Sequence, residues 1–431
     1  MLHKQWLLGH LLSLFDFGKG AVVYKDDFKS GGFGYLDRDG NLDAKKPREL
    51  WINGRFTHVY ALGHILGVPL SGELCDHGIS ALCEEFYDKE NGGYFSSLKD
   101  LNNEPNNRKE AYAQAFVVLA FASATLAKRK GAAENLYKAL DLIDRHFWDE
   151  KRGIILEGYD REFKNLEPYI GANANMHSLE CFLAASDALN FINDGKEADK
   201  WLLRGLRIAQ NIVKKAKDHR IIEHFTSDFE PIANYNEDYK NHPFRPYGAT
   251  PGHGFEWSRL CLHLHDALLA KRSDVAPRLA DFGGFDQVLA FLLHTGKALF
   301  ERALNDGLKF ANNKNLGFVY TTDFAGKEVI EARMHWVVCE AIASSSVLYS
   351  LTKEARYLEL YKQFWDLASL HFIDGSKSWH HELDKNLKIS SNTWSGKPDL
   401  YHAVQTCIIS LFSPRPSVAK CAFDAIDLKG L

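Results

Sequence analysis

The sequence lacks any cysteine framework: its seven cysteines, Cys75, Cys83, Cys181, Cys261, Cys339, Cys407 and Cys421, are odd in number, widely scattered and show no C-x-x-C spacing. A disulfide scaffold or structural zinc site is therefore not expected, and buried thiols in a reducing cytoplasm are. Excess charge of either sign is missing too. With 52 basic against 56 acidic residues spread along the chain, no basic field exists to draw nucleic acid or anionic lipid, so the expected partner is a small neutral molecule. No apolar run approaches the roughly 20 residues that span a bilayer, so no membrane segment is expected. The leucines of the first 17 residues are interrupted by His10, Ser13 and Asp16 and followed by no small-residue cleavage site, so they read as an amphipathic first helix. Pro-rich or Ser-rich linkers are also absent, which favours one domain over residues 1–431.

What is present is core material, 45% hydrophobic against 25% charged, in the proportion of an ordinary globular protein, and it recurs with a helical period. Twelve amphipathic segments begin near residues 3, 50, 74, 109, 131, 173, 195, 252, 284, 333, 355 and 399. Connections leaving odd-numbered segments are mostly long and those leaving even-numbered segments short, the signature of repeated helical hairpins. The long connections carry six strand-like phrases: Gly32–Asn41, Gly92–Asp100, Gly153–Asp160, Ile221–Asp228, Gly317–Gly326 and Ser378–Asn386. These features predict an all-α fold, an (α/α)6 barrel with short β-hairpins in the long loops at one rim. An open solenoid would share the periodicity but needs polar end repeats, and residues 1–17 and 399–412 are too apolar for that role.

Chemistry-bearing residues gather at the starts of the even-numbered segments. In GATPGHGFEW, Thr250 suits an N-cap and Pro251 the first helical position, which puts His253 at the third, with Glu256 three residues on as its orienter. In GKPDLYH, Asp399 caps and His402 follows in the first turn. In GANANMHSLE, Asn173 or Asn175 caps, with His177 following and Glu180 a turn further. Trp51, Arg55 and His58 share a face of the second segment, Trp336 and Glu340 a face of the tenth, and Tyr112 and Gln114 open the fourth. Aromatic platforms beside polar forks suit a sugar, which presents C–H faces between directional hydroxyls. Isolated His10, His64, His77, His263 and His265 read as structural. Adjacent His380 and His381 point to opposite faces of a strand, so no metal site is expected there.

The segments LWINGRFTHVYAL, GANANMHSLE, FRPYGATPGHGFEW, RMHWVVCEA and GKPDLYH, in order along the whole chain, resemble the N-acylglucosamine 2-epimerase superfamily, especially its bacterial aldose–ketose isomerase branch. The resemblance implies an (α/α)6 barrel without metal or nucleotide cofactor, and a central pocket using Arg55, His177, His253, Glu256, Glu340 and His402. It implies acid–base interconversion of D-mannose and D-fructose through a cis-enediol, with D-lyxose and D-xylulose as a second pair. His402 would move the proton between C2 and C1, while His253, held by Glu256, would serve the oxygens. Arg55 would stabilise the enediol, and His177 would assist ring opening. Trp51, Tyr112, Asn175, Trp336, Glu340 and His381 complete the expected sugar-contacting set. The chain departs from the sulfoquinovose-isomerising pattern at His380–Asp384 and at Gly396–Asp399, where two glutamines are missing, although Arg245 remains as an anion ligand. A 2-epimerase would differ only in the face to which the proton returns. A glycoside hydrolase would need two facing carboxylates, and a noncatalytic sugar-binding protein would leave the first-turn histidines without a task.

Overall fold

A computed structural model describes residues 2–25, 30–99, 105–312 and 314–427. Its helices are α1 (Leu2–Gly18), α2 (Leu50–Ile65), α3 (Ser71–Ala81), α4 (Ala111–Leu126), α5 (Ala132–Leu142), α6 (Ala172–Phe191), α7 (Gly195–Lys214), α8 (Pro251–Ala270), α9 (Arg272–Val275), α10 (Phe285–Gly307), α11 (His335–Thr352), α12 (Ala355–Leu367), α13 (Tyr401–Leu411) and α14 (Val418–Asp427). The twelve expected segments are all helical. Two helices were not anticipated, the single turn α9 and the C-terminal α14.

Six helices, α2, α4, α6, α8, α11 and α13, form an inner ring in which each packs on the next and α13 returns to α2. They are apolar on nearly every side, so α2 and α4 are buried along almost their whole length. The outer helices carry a single apolar stripe, as α7 does with Trp201, Leu202, Leu206, Ile208 and Ile212 facing inward. The barrel is therefore an (α/α)6 barrel. At its far end α14 packs on α2, α4, α6 and α13, and the Ser417 amide donates to Asp187 near the end of α6 at 3.0 Å.

All six strand-like phrases contain strand residues, though Asp100 at the end of the second lies outside the described residues. Their antiparallel pairings run from repeat to repeat. Arg48–Glu49 pairs with Ser97–Leu98, Lys109–Glu110 with Gly158–Tyr159, Tyr169–Gly171 with His224–Thr226, and Arg333–Met334 with Glu382–Leu383. An Ala249–Thr322 bridge fills the gap, and the Lys397 amide donates to the Leu36 carbonyl at 2.9 Å, joining the last repeat to the first. Each strand thus ties the start of one inner helix to the loop feeding the next, and the closed ring leaves no terminal repeat to cap.

The fourth residue of three inner helices clamps this rim. Asn53 accepts from the Phe33 amide at 2.7 Å and donates to the Phe33 carbonyl at 2.8 Å. Gln114 donates to the Tyr94 carbonyl at 2.8 Å, and Asn175 accepts from the Ile155 amide at 2.8 Å. Asn53 and Asn175 thereby satisfy both backbone groups of a strand residue, and Gln114 the carbonyl of Tyr94.

Candidate active site

The inner-helix N-termini and the rim loops surround an open cavity lined by polar and aromatic side chains, the ordinary make-up of a small-molecule site. Trp51, Arg55, Tyr112, His177, His253, Glu256, Trp336, His381 and His402, all expected at the site, line it. So do Asn173, Phe244, Tyr320, His335, Trp394 and Asp399. Side chains lean toward the N-terminus of their helix, which is why first-turn residues of six different helices converge on one rim.

Pro251 occupies the first helical position of α8, placing His253 third, but Thr250 makes no side-chain cap bond and its Oγ1 is buried without a partner. His253 Nδ1 lies 3.0 and 2.9 Å from the two oxygens of Glu223, which arrives from the loop before Tyr169–Gly171's strand partner. A carboxylate only accepts, so Nδ1 carries the proton and Nε2 is the basic nitrogen. The expected orienter, Glu256, is not the partner. The imidazole leans toward the rim, where Glu223 waits, while Glu256 lies one turn deeper.

His402 is held the same way. Its Nδ1 is 3.0 Å from Glu340 Oε1, and burial lowers its pKa against the opposing pull of Glu340. The imidazole is therefore neutral near neutral pH, with Nε2 left to accept a proton. Glu340, expected to touch sugar, instead sits behind His402, gripped by Arg259 through Nε at 2.7 Å and Nη2 at 3.2 Å. Burial raises its pKa, but Arg259 and His402 outweigh that and hold it ionised. Both imidazoles pack near the Trp336 indole, with ring centroids 5.2 Å (His253) and 5.8 Å (His402) from it. Gly252 allows this, because a Cβ there would lie 2.3 Å from the Trp336 ring.

His177 Nδ1 is 3.3 Å from Glu180 Oε2 and 3.8 Å from Glu256 Oε1, and burial lowers its pKa to about 4. Glu256 is pushed well above the usual carboxyl range by burial and by the charge of Glu340, with Arg259 opposing, and its Oε1 has no hydrogen-bond partner. His335 and His381 stack at 3.8 Å, and burial keeps both neutral, His381 with a pKa of about 4. His381 Nε2 donates to the Asp399 carbonyl at 3.2 Å, leaving Nδ1 as an acceptor, while His380 turns away toward Asp374.

Arg55 donates to Asp399 at 2.8 Å and to the Tyr112 hydroxyl at 3.1 Å, with its guanidinium 4.4–4.9 Å from the rings of Phe116, Tyr401 and Trp51. Asp399 also accepts from the Tyr401 amide at 3.0 Å, but α13 begins at Tyr401 with Leu400 at the N-cap, so Asp399 stands one residue ahead of the expected capping position. Two further expected contacts are corrected, as Glu340 was. Asn175 is fully buried, its amide spent on Ile155 and on the Gly171 carbonyl at 2.9 Å. Arg245 is bound to Glu167 at 2.7 Å and Glu157 at 3.3 Å and lies over the Tyr169 ring, so its charge is already answered. Below the pocket, His58 bonds Ser123 at 2.7 Å and does not line the site. Of the residues missed, Glu223 sits in the phrase IIEHFTSD, whose alternation could have placed it facing the rim. His335 and Tyr320 gave no local signal.

Two triads, His177–Glu180–Glu256 and Glu256–Glu340–His402, bring ligand-type atoms within 4.8 Å of one another. Arg259 supplies the positive charge at that spot, lying 3.6 Å from Glu256 and 3.8 Å from Glu180 besides its fork on Glu340. A metal there would have to meet the guanidinium head-on, so this donor set fits a cation poorly.

Carboxylate-tethered imidazoles around an aromatic cleft on this barrel define an acid–base enzyme of the (α/α)6 class. Residues 31–406 match the N-acylglucosamine 2-epimerase (GlcNAc 2-epimerase) family, and the chain belongs to that family. It is 41% identical to a D-mannose isomerase of Thermobifida fusca over 97% of this chain and 96% of the relative. It is 37% identical to another from Pseudomonas cannabina pv. alisalensis over 97% and 94%. A solved D-mannose isomerase superposes with a TM-score of 0.81 at 27% identity, covering 94% of this chain and 97% of that one. A cellobiose 2-epimerase from Spirochaeta thermophila, TM-score 0.75 at 17% identity, shares the fold.

Proposed function

We propose that this enzyme interconverts D-mannose and D-fructose, as one catalytic domain acting on a free monosaccharide in a reducing cytoplasm. The observation that carries the reading is that His253 and His402, each tethered at Nδ1 by a buried carboxylate, line one pocket beside the same Trp336 indole. After ring opening, assisted by His177, His402 Nε2 removes the C2 proton. The C–H electron pair becomes the C1=C2 bond of a cis-enediol, and O1 takes a proton. The imidazolium then returns the proton to C1 while O2 gives up its own and becomes the ketone oxygen. His253, set by Glu223, exchanges protons with O1, O2 and the ring oxygen. Arg55 stabilises negative charge on the enediol oxygens, with Trp51, Tyr112, Trp336 and His381 holding the chain. The names of the relatives at 41% and 37% identity support the substrate. The engagement of Arg245 by Glu167 and Glu157 argues against a sulfonated sugar.

Product analysis with D-mannose tests this. Fructose should accumulate first; glucose as first product would make the enzyme a 2-epimerase, and binding without conversion of mannose, lyxose or talose would make it a sugar-binding protein.

A further inference from the structure

Two of the three imidazole–carboxylate pairs of the pocket, His402–Glu340 and His177–Glu180, share one cation. Arg259 is almost fully buried, and its fork takes both oxygens of Glu340 from α11, while Nη2 also faces Glu256 on its own helix and Glu180 on α6. Glu340 in turn holds His402, and Glu180 holds His177. Tyr401 donates to Glu180, and Gln405 does so at 3.2 Å, so that carboxylate has partners besides Arg259. Glu340 does not: apart from His402, its hydrogen-bond partner among the described residues is Arg259.

We propose that Arg259 is a positioning residue for the proton transfer at carbon: its fork seats Glu340 as an acceptor for His402 Nδ1–H, leaving His402 Nε2 bare toward the sugar. Arg259 touches no substrate and acts through Glu340. This rests on the isomerase reading of the pocket. Remove the guanidinium and Glu340 faces Glu256 with no cation between them. Without the cation that favours Glu340 as the ionised member, the two carboxyls hold their proton more evenly, Glu340 loses charge near neutral pH, and His402 loses the partner that fixes its tautomer. Besides Arg259, the groups facing this cluster are His177 and Glu180 on α6, His263 on α8, Tyr401 and His402 on α13, and Arg55 on α2. Arg55 is already neutralised by Asp399, so it does not replace Arg259.

The test is Arg259→Met and Arg259→Lys beside Glu340→Gln and the Arg259→Met/Glu340→Gln double variant, each compared for kcat, KM and the pH profile of kcat. Arg259→Met should lose kcat by roughly 10- to 100-fold, the scale on which outer partners of a reactive group act, with KM nearly unchanged. Its acid limb should move to higher pH, because Glu340 works only when ionised and takes up its proton earlier without the cation. Arg259→Lys, which keeps the charge but not the fork, should recover part of both, and the double variant should be no slower than Glu340→Gln. An unshifted acid limb, or losses that multiply in the double variant, overturns the proposal. Should Arg259→Met not fold, Arg259→Lys carries the same criterion. An arm independent of turnover uses histidine-labelled protein: the ¹⁵N signals of His402 should show Nδ1–H in the wild type and lose that preference in Arg259→Met. A wild-type tautomer that survives the substitution refutes the role even if the substrate is another sugar, whereas failure to convert mannose refutes only the isomerase reading.

Discussion

Replacing Glu223 is the sharpest test of how the second imidazole is organised. Glu223 is buried and meets His253 Nδ1 with both oxygens, at 3.0 and 2.9 Å. A hydrogen bond to a charged group contributes about 1.5–3 kcal/mol, and about 1.4 kcal/mol is a factor of ten in rate. Glu223→Ala, which strands Nδ1–H and frees the ring to take the wrong tautomer, should therefore slow kcat about 10- to 150-fold. Glu223→Gln keeps a neutral acceptor about half as strong, so its loss should be only about 3- to 12-fold. Glu256→Gln, in contrast, should leave the His253 tautomer unchanged, because Glu256 is not its partner. The assay is initial-rate conversion of D-mannose at saturating sugar, with melting temperature as the control for folding. Glu223→Ala within threefold of wild type, or Glu223→Gln slower than Glu223→Ala, would refute the tether.

Other outcomes follow from the same geometry. Asn175→Ala should lower stability by about 2–4 kcal/mol, since three buried hydrogen bonds go and the Ile155 amide is stranded, yet leave KM for mannose near wild type; a raised KM in a stable protein would return Asn175 to the sugar site. Burial lowers the pKa of His402 below the 6.5 of an ordinary imidazole, so its basic form persists as pH falls, and the acid limb of kcat/KM should lie below pH 6.5; an apparent pKa at or above 7 contradicts this. Gly252→Ala should displace Trp336 from beside His253 and His402, lowering stability by about 1–3 kcal/mol and cutting kcat/KM, and an unchanged kcat/KM in the folded variant would argue otherwise.

The barrel was legible because its signals are local and repeated: hairpin periodicity, alternating connection lengths and six strand phrases all survive in the sequence. The elements that were missed lack a repeat. Helix α9 and the turn after it are an insertion before α10, and α14 follows the last hairpin, although Val418, Ala419, Cys421 and Ala422 carry a helical stripe. The site was legible where one helix determines it. The i, i+3 rule joins His177 to Glu180 correctly, but the same rule assigned Glu256 to His253, because helical spacing says nothing of a carboxylate delivered by a loop 30 residues earlier. Asn175 misled for a related reason. A polar residue in a pocket-forming turn looks available until the strand it clamps, 20 residues upstream, is in place. Arg245 likewise depends on Glu157 and Glu167, which only the fold brings to it.

Proton movement at carbon by His402 is the centre of this account, and conversion of D-mannose in deuterium oxide measures it directly by NMR. The wild-type enzyme should place deuterium at C1 of fructose, and His402→Ala, folded and still binding sugar, should place none. Deuterium appearing at wild-type rate in that variant would assign the transfer to another group.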